Sequence, residues 1–265
     1  MAIERRQNLI CSTDIIYGTD TVALSSSSRG TTLLSDQLIG GIASTAFFTG
    51  SLGINPASTN LSSTNISISS YMSNLKSQNK IPSLSYGYTA GNQYRFDKVL
   101  GSLTLGGYDA SLIQSNNLTV AFNGEWPSDL AIEVNSISFT TSSDQRFLSN
   151  RKFPAVIDST VPYLYLPLEV CQRFEEAFGI TYDEQAELYL VNDGMHSLLL
   201  EQAANVTFTL TNATSEVFVD ITLPYQAFDL IADAPLVQTQ TRYFPLKRAK
   251  DNSPYILGRT FLQEA

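Results

Sequence analysis

Short apolar or alternating runs, each bounded by Gly, Pro, Asn or Ser, recur along most of the chain. Such runs predict strands joined by turns. Residues 17–24, 38–43, 84–88, 101–109, 130–139, 155–157, 206–210, 217–223, 242–246 and 255–262 read this way. Residues 1–16 carry little pattern, 25–32 read as a polar loop, and the Asn/Ser/Thr-rich stretch 55–68 reads as a surface loop. Gly50 and Gly53, set among apolar residues, predict tight backbone packing. Helical periodicity appears twice. Residues 68–78 put Tyr71, Met72 and Leu75 on one face, and Pro82 stops the helix. Residues 168–178 put Leu168, Cys171, Phe174 and Phe178 on one stripe, leave Glu175 and Glu176 solvated, and end at Gly179. Residues 224–230 read as a short helix with Pro224 in its first turn. The predicted class is mainly β with two or three helices.

The 265 residues suffice for one large domain or two lobes, and 43% hydrophobic residues can fill a sizeable core. Charged residues make up only 15%, against about a quarter in average soluble domains, with Ser, Thr and Asn in their place. The net charge of −9 argues against nucleic acid as a partner. No run of 18 apolar residues suggests a membrane span, and the N-terminus has no apolar core of a signal peptide. His196 stands apart from any Cys or other His, so no metal spacing exists and no cofactor is expected. Cys11 and Cys171 could form one bridge or stand as unrelated thiols. Glycosylation sequons begin at Asn60, Asn65, Asn117, Asn205 and Asn212, which leans toward the secretory route.

The most informative stretch is 152–167, where the apolar run Ala155-Val156-Ile157 leads to Asp158-Ser159-Thr160, then to a second apolar run ending at Pro167. A carboxylate at the end of a buried strand is costly unless it is hydrogen-bonded, paired or working. Taken alone, Asp-Ser-Thr reads as a turn whose Asp bonds its own backbone two residues on. Other landmarks keep a second reading open. The helix at 168–178 follows, Gly101-Ser102-Leu103-Thr104-Leu105-Gly106-Gly107-Tyr108-Asp109 precedes, and Tyr255-Ile256-Leu257-Gly258 comes late.

In that order the landmarks resemble the pepsin-like aspartic peptidase family, specifically its fungal secreted members. The family's second catalytic strand reads apolar-apolar-Asp-(Thr/Ser)-Gly-(Thr/Ser), then an apolar run, a proline and a helix. Its late Ile-Leu-Gly passes beneath the Asp loop, and Ile256-Leu257-Gly258 is similar to it. Asp20-Thr21-Val22 resembles the strand after the family's flap, and residues 50–54 resemble the first lobe's own glycine crossing. The resemblance implies a mainly β, bilobal pepsin-like acid protease fold with a truncated first lobe. It divides the chain into an unassigned segment 1–16, a first-lobe remainder with interlobe strand at 17–122, and a second lobe at 123–265. It also implies peptide hydrolysis by a water held between two aspartates that share a proton, with an acidic optimum. Asp158 would be the catalytic residue, and Ser159, Thr160, Ile256, Leu257 and Gly258 would support it. The partner would be a polypeptide in an interlobe cleft, and the protein a secreted or vacuolar monomer.

The departures from that pattern fall on the chemistry. No Asp-(Thr/Ser)-Gly occurs anywhere in the chain, and the chain reads as incomplete at both ends. The family's Gly is Thr160 and the following hydroxyl position is Val161, so Asp158 is expected to lose a hydrogen bond. Arg259 stands where the family has Asp. Three functions follow: an endopeptidase represented by part of its chain, an inactive peptide- or protein-binding relative, and a secreted structural or inhibitor-like protein. The substitutions favour an inactive chain. Elsewhere the plain readings are kept. His196 is a surface or satisfied histidine, Trp126 a packing residue, Lys247-Arg248-Lys250 a solvated hairpin turn, and Asp109 and Asp220 turn and strand-surface acids.

Overall fold

Backbone pairing extends well beyond the apolar alternation that announces it. The structure is a computed structural model that describes residues 2–7, 12–26, 30–43, 50–61, 66–92, 94, 95, 99–122, 129–212, 216–234 and 236–265. It divides into one unit of Met1–Tyr88 with Leu103–Ile113, and a second of Thr89–Ser102 with Gln114–Ala265.

In the first unit, β1 (Ala2–Gln7), β2 (Ser12–Ser26) and β3 (Gly30–Ile42) form an antiparallel sheet. Residues 1–16, which carry little sequence pattern, nevertheless contribute strands, with Ala2–Gln7 paired to Ser12–Tyr17. The expected polar loop 25–32 is also shorter, because Ser25 pairs with Thr31 and Ser26 with Gly30. A ladder uses main-chain groups, so polar side chains do not interrupt it. A hairpin of β4 (Thr59–Leu61) and β5 (Ile66–Ile68) occupies part of the expected surface loop. Next, α1 (Tyr71–Ser77) starts later than the periodicity predicts, since Ile68 closes β5 and the Ser70 hydroxyl caps the helix by accepting from the Ser73 N–H. Met72 and Leu75 pack with Leu34 and Ile81 as a small core. No atom of the described residues lies within 4 Å of a Cβ built on Gly50 or Gly53, so the expected tight packing and glycine crossing are not found among the described residues. Two more strands, β6 (Tyr86–Thr89) and β7 (Ser102–Leu105), make a two-stranded sheet.

The second unit carries the larger core. Its strands are β8 (Ala131–Thr140), β9 (Gln145–Ser149), β10 (Phe153–Ile157), β11 (Leu164–Leu166), β12 (Thr181–Asp183), β13 (Leu188–Leu190), β14 (Asn205–Thr211), β15 (Val219–Pro224), β16 (Leu230–Ala232), β17 (Thr241–Phe244), β18 (Leu246–Arg248) and β19 (Tyr255–Leu257). The main sheet runs β15-β14-β8-β10-β19-β11-β18 with β9 on β8, and a four-stranded sheet runs β12-β13-β17-β16. The expected helix appears as α2 (Leu168–Phe178), ended by Gly179 at φ 58°. Its buried stripe is Val170, Cys171, Phe174 and Phe178, whereas Leu168 is half exposed. Phe178 stands among Phe139 (centroids 4.8 Å), Phe244 (4.9 Å), Phe174 (5.7 Å) and Phe228 (6.4 Å). The thiol of Cys171 is free and buried, donating toward the Leu166 and Lys247 carbonyls, while Cys11 lies outside the described residues.

Three expectations are corrected here. The 224–230 helix is a single 3-10 turn, Tyr225–Phe228, between β15 and β16. A helix unforeseen in the sequence, α3 (Asp193–Glu201), is capped by Asn192, which accepts from the Met195 N–H. Lys247 and Arg248 lie in β18 rather than in a solvated turn. The guanidinium of Arg248 stacks on Tyr182 at 3.7 Å, donates to Tyr189 Oη at 2.9 Å and pairs with Glu175 at 3.1 Å, so Glu175 is not simply solvated.

Candidate active site

Asp158 follows directly on β10, and its backbone N–H donates to the Leu257 carbonyl at 3.1 Å. That bond continues the parallel pairing of β10 with β19, where Val156 faces Ile256 and Ile157 faces Leu257. Ala155, Val156, Ile256 and Leu257 are buried, and a Phe153–Tyr255 edge contact at 5.2 Å seals the far end of the pair. The acid is thus delivered to the end of a buried parallel ribbon and is itself half-buried.

Beyond it the chain turns, with the Val161 N–H donating to the Asp158 carbonyl at 3.2 Å. Thr160 supplies two donors to one carboxylate oxygen, its backbone N–H at 2.9 Å and its hydroxyl at 2.7 Å. The expected loss of a hydrogen bond at the carboxylate is therefore made good, because the hydroxyl missing at Val161 is present one residue earlier. Among described non-glycine residues, positive φ is confined to Asp36, Asn79, Glu187, Ala203 and Asn252. Thr160 therefore carries its Cβ without backbone strain. The turn reading of Asp-Ser-Thr and the reading of Asp158 as a working acid share this geometry.

Gly258 crosses under the loop. A Cβ there would stand 2.3 Å from the Tyr163 carbonyl oxygen and 2.4 Å from that of Val161, so no other residue fits without moving backbone. After the crossing, the Arg259 N–H donates to the Val161 carbonyl at 2.7 Å, and the Thr260 hydroxyl to that of Pro162 at 2.8 Å. The Arg259 Nη1 reaches the carbonyls of Ser159 and Thr160 at 3.2 Å each. Tyr163 packs against Tyr165 and Tyr243, and Lys247 Nζ lies 4.9 Å from the Tyr163 ring centre. Burial pushes the Tyr243 phenol up to about 12, reinforced by Tyr163 and opposed by the Arg259 charge. In the sequence Arg259 stands out as a departure from the family's Asp, with nothing to show that it holds the loop. Its position directly after the crossing glycine was the available signal.

Other singled-out residues lie elsewhere. His196 is on α3, with Nδ1 3.2 Å from Tyr225 Oη and 3.5 Å from Asp229 Oδ1. Asp109 caps a short turn through Ser111, and Asp220 accepts from the Thr209 hydroxyl. Asn60 and Asn117 are exposed, whereas Asn205 donates to Ala203 and Asn212 to Thr119. Asn65 and Trp126 lie outside the described residues. Among the described residues no cluster of three or more His, Cys, Asp or Glu could hold a metal, and no helix is long and apolar enough to cross a membrane.

Among solved structures, the crystal structure of an aspartic proteinase from Irpex lacteus is similar, with a TM-score of 0.64 at 17% identity. The match covers 95% of this chain and 73% of that one and shows a shared fold, mainly β and pepsin-like. No curated protein matches. The sequence profile described as "Eukaryotic aspartyl protease" matches residues 12–265, and the chain belongs to that family.

Proposed function

We propose that Asp158 occupies the second-lobe aspartate position of an aspartic-type endopeptidase, and that the 265-residue chain alone holds a polypeptide without cutting it. The observation that carries this reading is the Asp158 loop itself, built over the Gly258 crossing with two Thr160 donors on one carboxylate oxygen. Peptide hydrolysis of this kind needs two carboxylates sharing a proton, one acting as base on the water and the other as acid. Asp158 itself stands in Asp-Ser-Thr, and no other acid of this chain stands in an Asp-(Thr/Ser)-Gly context. The Ser, Thr and Asn-rich composition and the sequons support a secreted or vacuolar, glycosylated protein, and the family resemblance supports a fungal type; among the described acceptors Asn60 and Asn117 are exposed.

A second reading is a working endopeptidase. The intact hydrogen bonding at Asp158 favours it, since the Thr160 and Val161 substitutions leave the carboxylate supported. Digestion of haemoglobin or casein at about pH 3–5, with and without pepstatin, separates the two. The proposal expects no turnover, together with pepstatin or peptide binding that weakens in Asp158→Asn. Pepstatin-sensitive cleavage abolished by Asp158→Asn would overturn it in favour of the working enzyme.

A further inference from the structure

Four consecutive carbonyls of the Asp158 loop, those of Ser159, Thr160, Val161 and Pro162, accept hydrogen bonds from Arg259 and Thr260. Arg259 alone takes the first three, two through Nη1 and one through its backbone N–H. A peptide unit is planar and trans, so its C=O and N–H point in opposite directions. The carbonyl of Ser159 and the N–H of Thr160 belong to one such unit. One end receives the Arg259 guanidinium at 3.2 Å, and the other donates to Asp158 Oδ1 at 2.9 Å. A cation on the carbonyl both fixes the plane and polarises the N–H as a donor. The next unit behaves alike, with the Thr160 carbonyl on Arg259 and the Val161 N–H on the Asp158 carbonyl.

The geometry points to Arg259 as a positioning residue for Asp158, which aims the Ser159–Thr160 peptide so that its N–H is held on the carboxylate. This rests on the reading of Asp158 as the functional acid. Arg259 touches no reacting atom in that scheme and acts only through the loop. Both side-chain contacts come from the single nitrogen Nη1, which carries two N–H donors, so a Lys ammonium placed there can serve the same two carbonyls. Aspartate, which the family resemblance places here, has no donor for either carbonyl. The loop and the cation therefore form one local arrangement, with Thr160 supplying donors at the carboxylate and Arg259 holding the other end of the same peptide.

The test is the amide proton of Thr160 in the 15N-labelled full chain, followed from neutral to acidic pH. In the unaltered chain its shift is expected to change with pH because it is held on Asp158 Oδ1, and Asp158→Asn removes that dependence. Arg259→Ala is expected to abolish the dependence while the β10 and β19 amides keep their exchange protection, and Arg259→Lys is expected to restore it. Thr260→Val, which removes a donor from a different peptide unit, is expected to leave it intact. An unchanged Thr160 profile in Arg259→Ala would overturn the assignment. So would loss of β10 and β19 protection together with it, which would mark Arg259 as a general structural residue. The readout requires neither peptide binding nor hydrolysis, so it stands or fails apart from the proposed function.

Discussion

Gly258→Ala tests the crossing on which the Asp158 loop is built. The added methyl would meet Tyr163 O at 2.3 Å, Val161 O at 2.4 Å and the Val161 carbonyl carbon at 3.1 Å. All three are backbone atoms, so no rotamer change relieves the overlap. Relief requires a shift of about 1 Å in residues 161–163 or in β19, and overpacking of this kind costs typically 1–3 kcal/mol. A shift would also lengthen the Arg259-to-Val161 bond of 2.7 Å and the Thr260-to-Pro162 bond of 2.8 Å. We therefore expect a loss of about 3 kcal/mol, the top of that range. For a unit of this size that corresponds to a fall in Tm of roughly 6–12 °C. Differential scanning calorimetry measures it, with Gly194→Ala as control in the same unit. There a Cβ meets only Asn192 Oδ1, at 3.4 Å. A Gly258→Ala protein that melts within about 1 °C of the unaltered chain, or no lower than the control, would refute the crossing argument.

Two further outcomes concern polar groups of the second unit. Burial pushes the Cys171 thiol from 9.0 up to about 12. The folded state therefore keeps its proton after the unfolded chain has lost it, so this stabilisation is full below pH 9 and is lost as pH rises toward 12. Tyr165 and Tyr243, raised from 10.0 to about 12 chiefly by burial, add the same sign above pH 10. Urea unfolding between pH 8 and 10 should show stability falling more gently in Cys171→Ala than in the unaltered chain, by up to about 1.4 kcal/mol per pH unit, and equal slopes would contradict the assignment. Arg248→Met removes the partner of Glu175 and the cation on Tyr182, both partly exposed, and should cost roughly 1–2 kcal/mol by urea midpoint. A change under about 0.5 kcal/mol would show that this cluster is only a surface pairing.

Legibility differed from element to element for physical reasons. Residues 168–178 were readable as a helix because a stripe at 3.6-residue spacing and a C-terminal glycine are both local signals. Even so, Leu168 faces outward and Val170 inward, since the helix rotates to fit its neighbours. The helix at Asp193–Glu201 went unread because its apolar residues follow one another as Leu198-Leu199-Leu200 without clear spacing, and only the Asn192 cap announced it. At the site, Asp158, Ile256, Leu257 and Gly258 were all legible as residues of interest. The loop's hydrogen bonds were not, because comparison with the family's motif suggested that Thr160 and Val161 weaken the site. In the folded loop one threonine supplies the hydroxyl and the N–H together. Arg248 was misread because a basic cluster between apolar runs looks the same in sequence whether it turns in water or lies along a strand against a tyrosine.

By itself, the sequence determined a mainly β chain of many short strands and a helix that follows the Asp158 stretch and ends at a glycine. These depend on periodicity, turn residues and the unique smallness of glycine, all of which are written locally. Only the tertiary structure decided that the Gly258 crossing is tight while Gly50 and Gly53 meet no atom of the described residues within 4 Å of a built Cβ. It also decided that Arg259 and Thr260 gather the carbonyls of residues 159–162 from a point nearly a hundred residues away. Such contacts depend on how a parallel strand pair brings distant segments together, and no local pattern encodes which carbonyl a distant cation will meet.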